Sequence, residues 1–383
     1  MLKTLNLGLL YLLPADLALV GLLTTLTSLR FECSLPHLMK PLSSLASLSR
    51  LRQLDLTILT ATSRAVLPSS LSTLAGVQAL NLRCRRSDFD RASPAPRLQL
   101  PQEWCQAATQ ATSVRLDHVD LPGNGGTLIS SNSGDRSRDS VIFPAMQSLE
   151  LMSTSDAVGD ALGCCKALQT LKVESACFEM AGWAALSALS QLGRLTVVDS
   201  MMANHADVDE GGQFVPVPES LSALTSLTYL YLHSSCILPA IPQLPALQHA
   251  ELVNSDLING GAAAGWPLPE GPWLFNLVAL RIVGAELGSV KAVLRRATRL
   301  SSLELIQCPF VQLTREELPL LLRLPLKRLV LDKRPDYNYD DYPEPLWDKE
   351  SIWVAEELRD AMELCECEVQ FDIFSEDSLP MPC

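Results

Sequence analysis

The richest group of reactive side chains in the sequence is Tyr229, Tyr231 and His233, followed by His249 and Glu251. Imidazole and carboxylate together can hold a metal ion or exchange a proton, whereas phenol and imidazole rings can anchor a protein interface. Spacing decides between these chemistries. If the two segments are neighbouring parallel strands in register, Tyr229 lies beside His249 and Tyr231 beside Glu251, about 4.8 Å apart. His233 and His249 are then offset by four residues, roughly 13 Å, too far to share one ion. The remaining histidines, His37, His118 and His205, stand in separate segments. The chain contains no Gly-rich phosphate loop, His-Glu-x-x-His, Gly-x-Ser-x-Gly or zinc-spaced Cys/His cluster. No catalytic residue, cofactor or metal site is expected, and the group reads as a candidate partner-binding patch. The plain alternative is that the rings only pack on one another across strands.

A second set is charged: Arg115, Asp117, Glu150, Lys172, Glu174 and Arg194. In register, Arg115, Glu150 and Lys172 form a row of alternating sign, which could select a charged partner. As a solvated ladder the same row is worth a few tenths of a kcal/mol per pair. The basic run Arg83, Arg85, Arg86, Arg91 and Arg97 is interrupted by Asp88 and Asp90, so a nucleic-acid partner is not expected. Cys365 and Cys367 are spaced too closely for the usual paired zinc ligands.

These side chains need elements that hold them in rows, and an internal repeat supplies them. The pattern L-x-x-L-x-L recurs as LKTLNL from Leu2, LTSLRF from Leu26, LRQLDL from Leu51 and VQALNL from Val77. After VRL around Val114 it continues through MQSLEL, LQTLKV, LGRLTV, LTYLYL, LQHAEL, LVALRI, LSSLEL and LKRLVL, ending at Leu331. The second apolar position of the thirteen copies falls at 5, 29, 54, 80, 114, 149, 171, 195, 230, 250, 280, 303 and 329. Alternation in x-L-x-L points two leucines inward and their neighbours outward, as a strand requires. Leucines spaced by three before the strand, such as Leu221, Leu224 and Leu227, suit a tight 3₁₀-like segment.

The pattern resembles the leucine-rich-repeat family, whose consensus is L-x-x-L-x-L-x-x-N/C-x-L. Two stretches, Leu67 to Leu82 and Val217 to Leu232, resemble its plant-type subclass, each with a Pro twelve residues before the anchor Leu. The resemblance covers roughly residues 1 to 331. It implies an α/β solenoid, a right-handed horseshoe with a parallel sheet on the concave face and short helical or 3₁₀ segments on the convex one. The consensus Asn is missing: Ser34, Thr154, Ser200, Ser235, Ser255 and Cys308 stand there, so a less regular ladder is expected. Stretches near 83–110, 122–140, 203–217 and 258–273 are rich in Gly, Pro, Ser or charge and read as projecting loops.

Composition sets the remaining bounds. Residues 335–383 carry 15 acids against 2 bases, so the net charge of −13 belongs to that segment and the repeat body, 1–334, is neutral. A neutral body lacks the cationic excess that nucleic acid or an anionic membrane surface requires. Apolar Ile352, Ala355, Leu358 and Met362 after Ser351 predict a helix, and Leu364, Cys367 and Val369 a last strand. The segment is therefore expected to cap the solenoid. At the other end Met1 runs almost directly into a repeat strand, so either the first repeat is its own cap or the chain is part of a longer protein. The start of the chain could pass for a signal peptide, yet Leu2, Leu5 and Leu7 fit the repeat, and Pro14 and Asp16 interrupt the apolar run. Eleven cysteines without a CxxC pair and no Asn-x-Ser/Thr sequon point to an intracellular, cytoplasmic protein with reduced thiols. The resulting expectation is a non-enzymatic scaffold, monomeric apart from its protein partner, without a membrane span. The alternative is the ligand-sensing part of a leucine-rich-repeat signalling receptor.

Overall fold

Alternating leucines predict strands with one buried edge per residue pair, and the computed structural model builds them at every predicted anchor. It describes residues 2–11, 14–34, 45, 47–60, 62, 64–67, 76–86, 95–121, 143–153, 162–163, 165–174, 184–198, 219–233, 243–253, 266–267, 270–284, 287–308, 311, 314–332, 349–363 and 367–372. The chain divides into two compact units, Met1–Leu192 with Asp199–Asn204, and Gly193–Val198 with His205–Cys383.

In the first unit the main strands are β1 (Thr4–Tyr11), β2 (Ser28–Ser34), β3 (Gln53–Thr60), β4 (Ala79–Arg86), β5 (Ser113–Asp117), β6 (Ser148–Met152) and β7 (Thr170–Glu174). Each pairs in parallel with the next, and Leu5, Leu29, Leu54, Leu80, Val114, Leu149 and Leu171 fall in one line. In the second unit they are β8 (Arg194–Val198), β9 (Tyr229–His233), β10 (His249–Val253), β11 (Ala279–Val283), β12 (Ser302–Ile306), β13 (Arg328–Asp332) and β14 (Glu368–Asp372). Here the line runs Leu195, Leu230, Ala250, Leu280, Leu303, Leu329 and Val369. Leu230 and Leu232, the inward residues of β9, are 0% and 3% exposed.

The turns between strands follow from the spacing of three. Leu224 N–H donates to the Leu221 carbonyl and Leu227 N–H to that of Leu224, both at 3.0 Å. Such i to i−3 bonds eclipse every third side chain, so all three leucines enter the core together. At most of the described strand starts, one carbonyl then takes two donors from the following coil. Thr27 and Ser28 N–H both reach the Lys3 carbonyl, at 2.8 and 3.1 Å, and Gln248 and His249 N–H both reach that of Thr228, at 2.9 and 3.0 Å. The hydroxyls of Thr27, Thr228 and Ser301 add a third donor to the same kind of acceptor. At the strand ends His118, Ser153, Gln307 and Gly284 adopt φ of 53°, 52°, 53° and 68°. That left-handed turn lets the N–H groups of His118, Ser153 and Gly284 bond one further carbonyl of the next coil.

Some sequence expectations are revised. The stretch 83–110 is not a plain loop: β4 extends to Arg86, Arg97–Gln99 forms a short strand, and a helix, Gln102–Ala107, buries Trp104 and Cys105. Its apolar residues Leu98, Leu100 and Trp104 outweigh the Pro and charge that suggested a loop. Within 258–273, Trp266–Pro267 pairs with Leu287–Ser289, while 122–140 and 203–217 lie outside the described residues. The last helix spans Lys349–Glu363 and buries Val354 as well as Ala355 and Leu358. Cys367 is buried but precedes β14, which starts at Glu368. At the consensus Asn position Cys308 is 1% exposed, with Sγ facing the Ile306 and Ile282 carbonyls at 3.4 and 3.8 Å. Thr154, Ser200, Ser235 and Ser255 lie outside the described residues.

Two outcomes follow from this packing. Leu230→Ala removes a fully buried side chain between layers and should lower unfolding free energy by about 2 to 5 kcal/mol in urea titration. A loss below about 1 kcal/mol would mean that Leu230 is not a core position. Burial pushes the Cys33 and Cys105 thiols far up, with Glu32 and Cys165 adding to it, and raises Cys84 to about 12, with Asp117 and Asp120 adding there. The native chain therefore retains protons that the unfolded chain releases above the ordinary thiol value of 9.0. Stability should be full below that value and fall as pH rises from there toward 12, read from urea midpoints. Alkylation at pH 8 should spare these three thiols until the chain is denatured.

Candidate functional site

All eleven residues singled out for binding sit on described strands, on the face opposite the leucine layers. Tyr229, Tyr231 and His233 alternate with buried Leu230 and Leu232 because β9 is extended, and each is half-buried. The register places Tyr229 opposite His249, Tyr231 opposite Glu251, and His233 opposite Val253. Ring centroids of Tyr229 and His249 are 6.3 Å apart with planes tilted by 33°, and those of Tyr231 and His233 are 6.5 Å apart. On the other side, Arg194 pairs with Tyr229 in register and lays its guanidinium 3.6 Å from the ring centroid. The aromatic patch thus extends over three strands, from Arg194 to His249.

Glu251 belongs to a different arrangement. Arg281 Nη1 donates to its Oε1 at 2.7 Å, and Arg281 Nε lies 3.5 Å from Glu304. Arg328 in turn bonds Glu304 and Glu368 at 2.7 and 2.6 Å. Glu251, Arg281, Glu304, Arg328 and Glu368 form one ladder across five strands of the second unit. Four of its members, Arg281, Glu304, Arg328 and Glu368, were not picked out from the sequence. The signal was available: Arg281 and Glu304 each follow an anchor Leu, so the repeat register alone sets them in one row with Glu251.

The first unit has its own ladder. Arg115 lies 3.4 Å from Glu150, and Lys172 bonds both Glu150 and Glu174 at 2.9 Å. Hydrogen bonds to Glu174 and Glu150 hold Lys172 protonated above the usual lysine range. Asp117 lies 4.0 Å from His118, and Asp55 stands between Arg30 and Arg83 at 3.5 and 3.9 Å. Beside this ladder is a shallow groove of about 390 Å³, with Asn6, Arg30, Asp55 and Asn81 along it and no aromatic side chain in its lining. Among the described residues, no group of three or more His, Cys, Asp or Glu side chains is placed to hold a metal ion. None of the described helices is long and apolar enough to cross a membrane.

No protein-family model matches the chain, and no curated protein matches it in sequence. Solved structures do align. An internalin from Listeria monocytogenes is 14% identical, covering 87% of this chain and 83% of its own, with a TM-score of 0.46. The Toll–Spatzle complex from Drosophila aligns at 12% identity over 80% of this chain and 43% of that one, TM-score 0.46. A plant peptide hormone receptor in complex with its peptide aligns at 15% identity over 83% and 57%, TM-score 0.37. The chain thus spans about half the length of those two receptor structures. With one apolar anchor per coil, parallel pairing from coil to coil and leucine-lined 3₁₀ turns, the chain has the leucine-rich-repeat fold.

Proposed function

We propose that this chain is a non-enzymatic interaction scaffold that holds a protein partner against its strand-lined face, the face expected to be concave. The observation that carries the reading is the Arg194, Tyr229, Tyr231 and His249 patch. Rings are the side chains that most often concentrate binding energy, and aromatics make up only 5% of this chain. Among the outward charges of the other strands, Lys172 is paired with Glu150, Arg281 with Glu251 and Arg328 with Glu304, which favours solubility over affinity. The odd number of cysteines and the burial of Cys33, Cys84, Cys105, Cys165, Cys308 and Cys367 suit a reducing, intracellular setting.

Residues 335–383 serve this scaffold as its terminal cap. In support, β14 pairs with β13, setting Val369 opposite Leu329, and the helix Lys349–Glu363 packs against β14. A stacked repeat needs such a cover because its last layer would otherwise face water.

Replacing Tyr229 and Tyr231 together by Ala should cost about 1 kcal/mol of stability or less per ring, since cross-strand contacts of half-buried side chains are modest. Partner capture from cell extract should fall by at least about tenfold, the loss expected from removing two interface anchors. A variant that folds and captures every partner of the parent would put the binding face elsewhere. Deletion of 335–383 should expose the Leu329 and Leu331 layer, giving an insoluble chain or one without a cooperative melt. A soluble deletion with an unchanged melting transition would make the segment an independent tail.

A further inference from the structure

Of the three arginines on the described strands of the second unit, Arg281 and Arg328 each sit between two carboxylates. Arg194 has no carboxylate within ion-pair distance among the described residues; its contact is the Tyr229 ring, 3.6 Å away. The difference is one of geometry. A guanidinium whose central carbon lies 3.6 Å over a ring is held there by that ring. With no carboxylate paired to it among the described residues, its N–H fork is available for a bidentate grip on one. Glu251, on the strand of His249, is engaged by Arg281 at 2.7 Å and forms no ion pair with Arg194.

The row through Arg194 has a shape as well as a charge. From Arg194 it passes over Tyr229 and His249 and then drops to Ala279 and Ser302. Three strand spacings, about 14 Å, separate Arg194 from the step at Ala279. An extended peptide laid across the strands advances about 3.3 Å per residue, so its residues i, i+2 and i+4 reach Arg194, the rings and the step. We infer that the patch receives an extended acidic segment of a protein partner. A carboxylate side chain enters the fork of Arg194, and apolar side chains two and four residues further on cover the rings and fill the step at Ala279. This inference rests on the interaction patch proposed above and names the chemistry of its partner.

The test uses the full chain and two fluorescein-labelled peptides, Ser-Glu-Ser-Leu-Ser-Leu-Ser and the same peptide with Gln for Glu, read by fluorescence anisotropy. The Glu peptide should bind about tenfold more tightly than the Gln peptide, as loss of one charge-assisted bidentate contact implies. Arg194→Gln should erase that difference, whatever it does to the affinity for the Gln peptide, in a chain whose melting curve shows that it folds. Arg281→Gln, which breaks the neighbouring ladder, should retain the difference. Equal affinities for the two peptides, no binding of the Glu peptide up to millimolar concentration, or a preference that survives Arg194→Gln overturns the inference. If the Tyr229 and Tyr231 double variant loses its partner while no Glu preference exists, the patch stands and its acidic partner falls. If that variant keeps its partner, both fall.

Discussion

The carbonyl at most strand starts is the interaction on which the other contacts depend. Accepting two N–H groups from the next coil, as the Lys3 and Thr228 carbonyls do, it ties the end of one convex turn and the first residue of the following strand to a single point. A slip by one residue would break both bonds and turn every leucine outward. Register is therefore decided where the chain enters the sheet. The apolar lines and the outward rows of charge and rings are then consequences of the same constraint.

Much of this was legible in the sequence because the repeat encodes register directly. Each anchor from Leu5 to Leu329 lies opposite the next within its unit, and the opposition of Tyr229 with His249 and of Arg115 with Glu150 followed from counting residues from those anchors. Spacing by three in Leu221, Leu224 and Leu227 likewise gave the turn type. Irregular stretches were harder. In 83–110 the Arg, Asp and Pro residues masked a helix whose burial depends on Trp104 and Cys105 meeting neighbours far away in sequence.

The candidate site was legible in its positions and less so in its pairings. Whether Glu251 is a binding residue or a rung depends on Arg281, and whether Arg194 is a rung or a ligand contact depends on the ring of Tyr229. Both are choices between neighbours within reach of one side chain. Register narrows such choices to two or three residues; rotamers and competing hydrogen bonds settle them. The turn before the short helix Leu318–Leu321 is similar. Thr314 and Glu317 stand at Thr-x-x-Glu spacing, the Thr314 N–H bonds Glu317 at 2.9 Å, and the buried Glu317 carboxylate takes the Thr314 hydroxyl as well. The motif is present in the sequence, yet only the packed structure shows that the carboxylate is buried.

The strand ends have a consequence for how this protein could be engineered or could drift in evolution. His118, Ser153 and Gln307 occupy the left-handed region, where a side chain with a Cβ carries a penalty of about 1 kcal/mol, whereas Gly284 carries none. The conformation recurs at equivalent positions, and at His118, Ser153 and Gly284 it presents one more N–H to the next coil. Stability is thus held back at strand ends and not in the apolar layers. Asn or Gly at those three positions offers thermal headroom, so tolerance to later destabilising substitutions can be gained coil by coil.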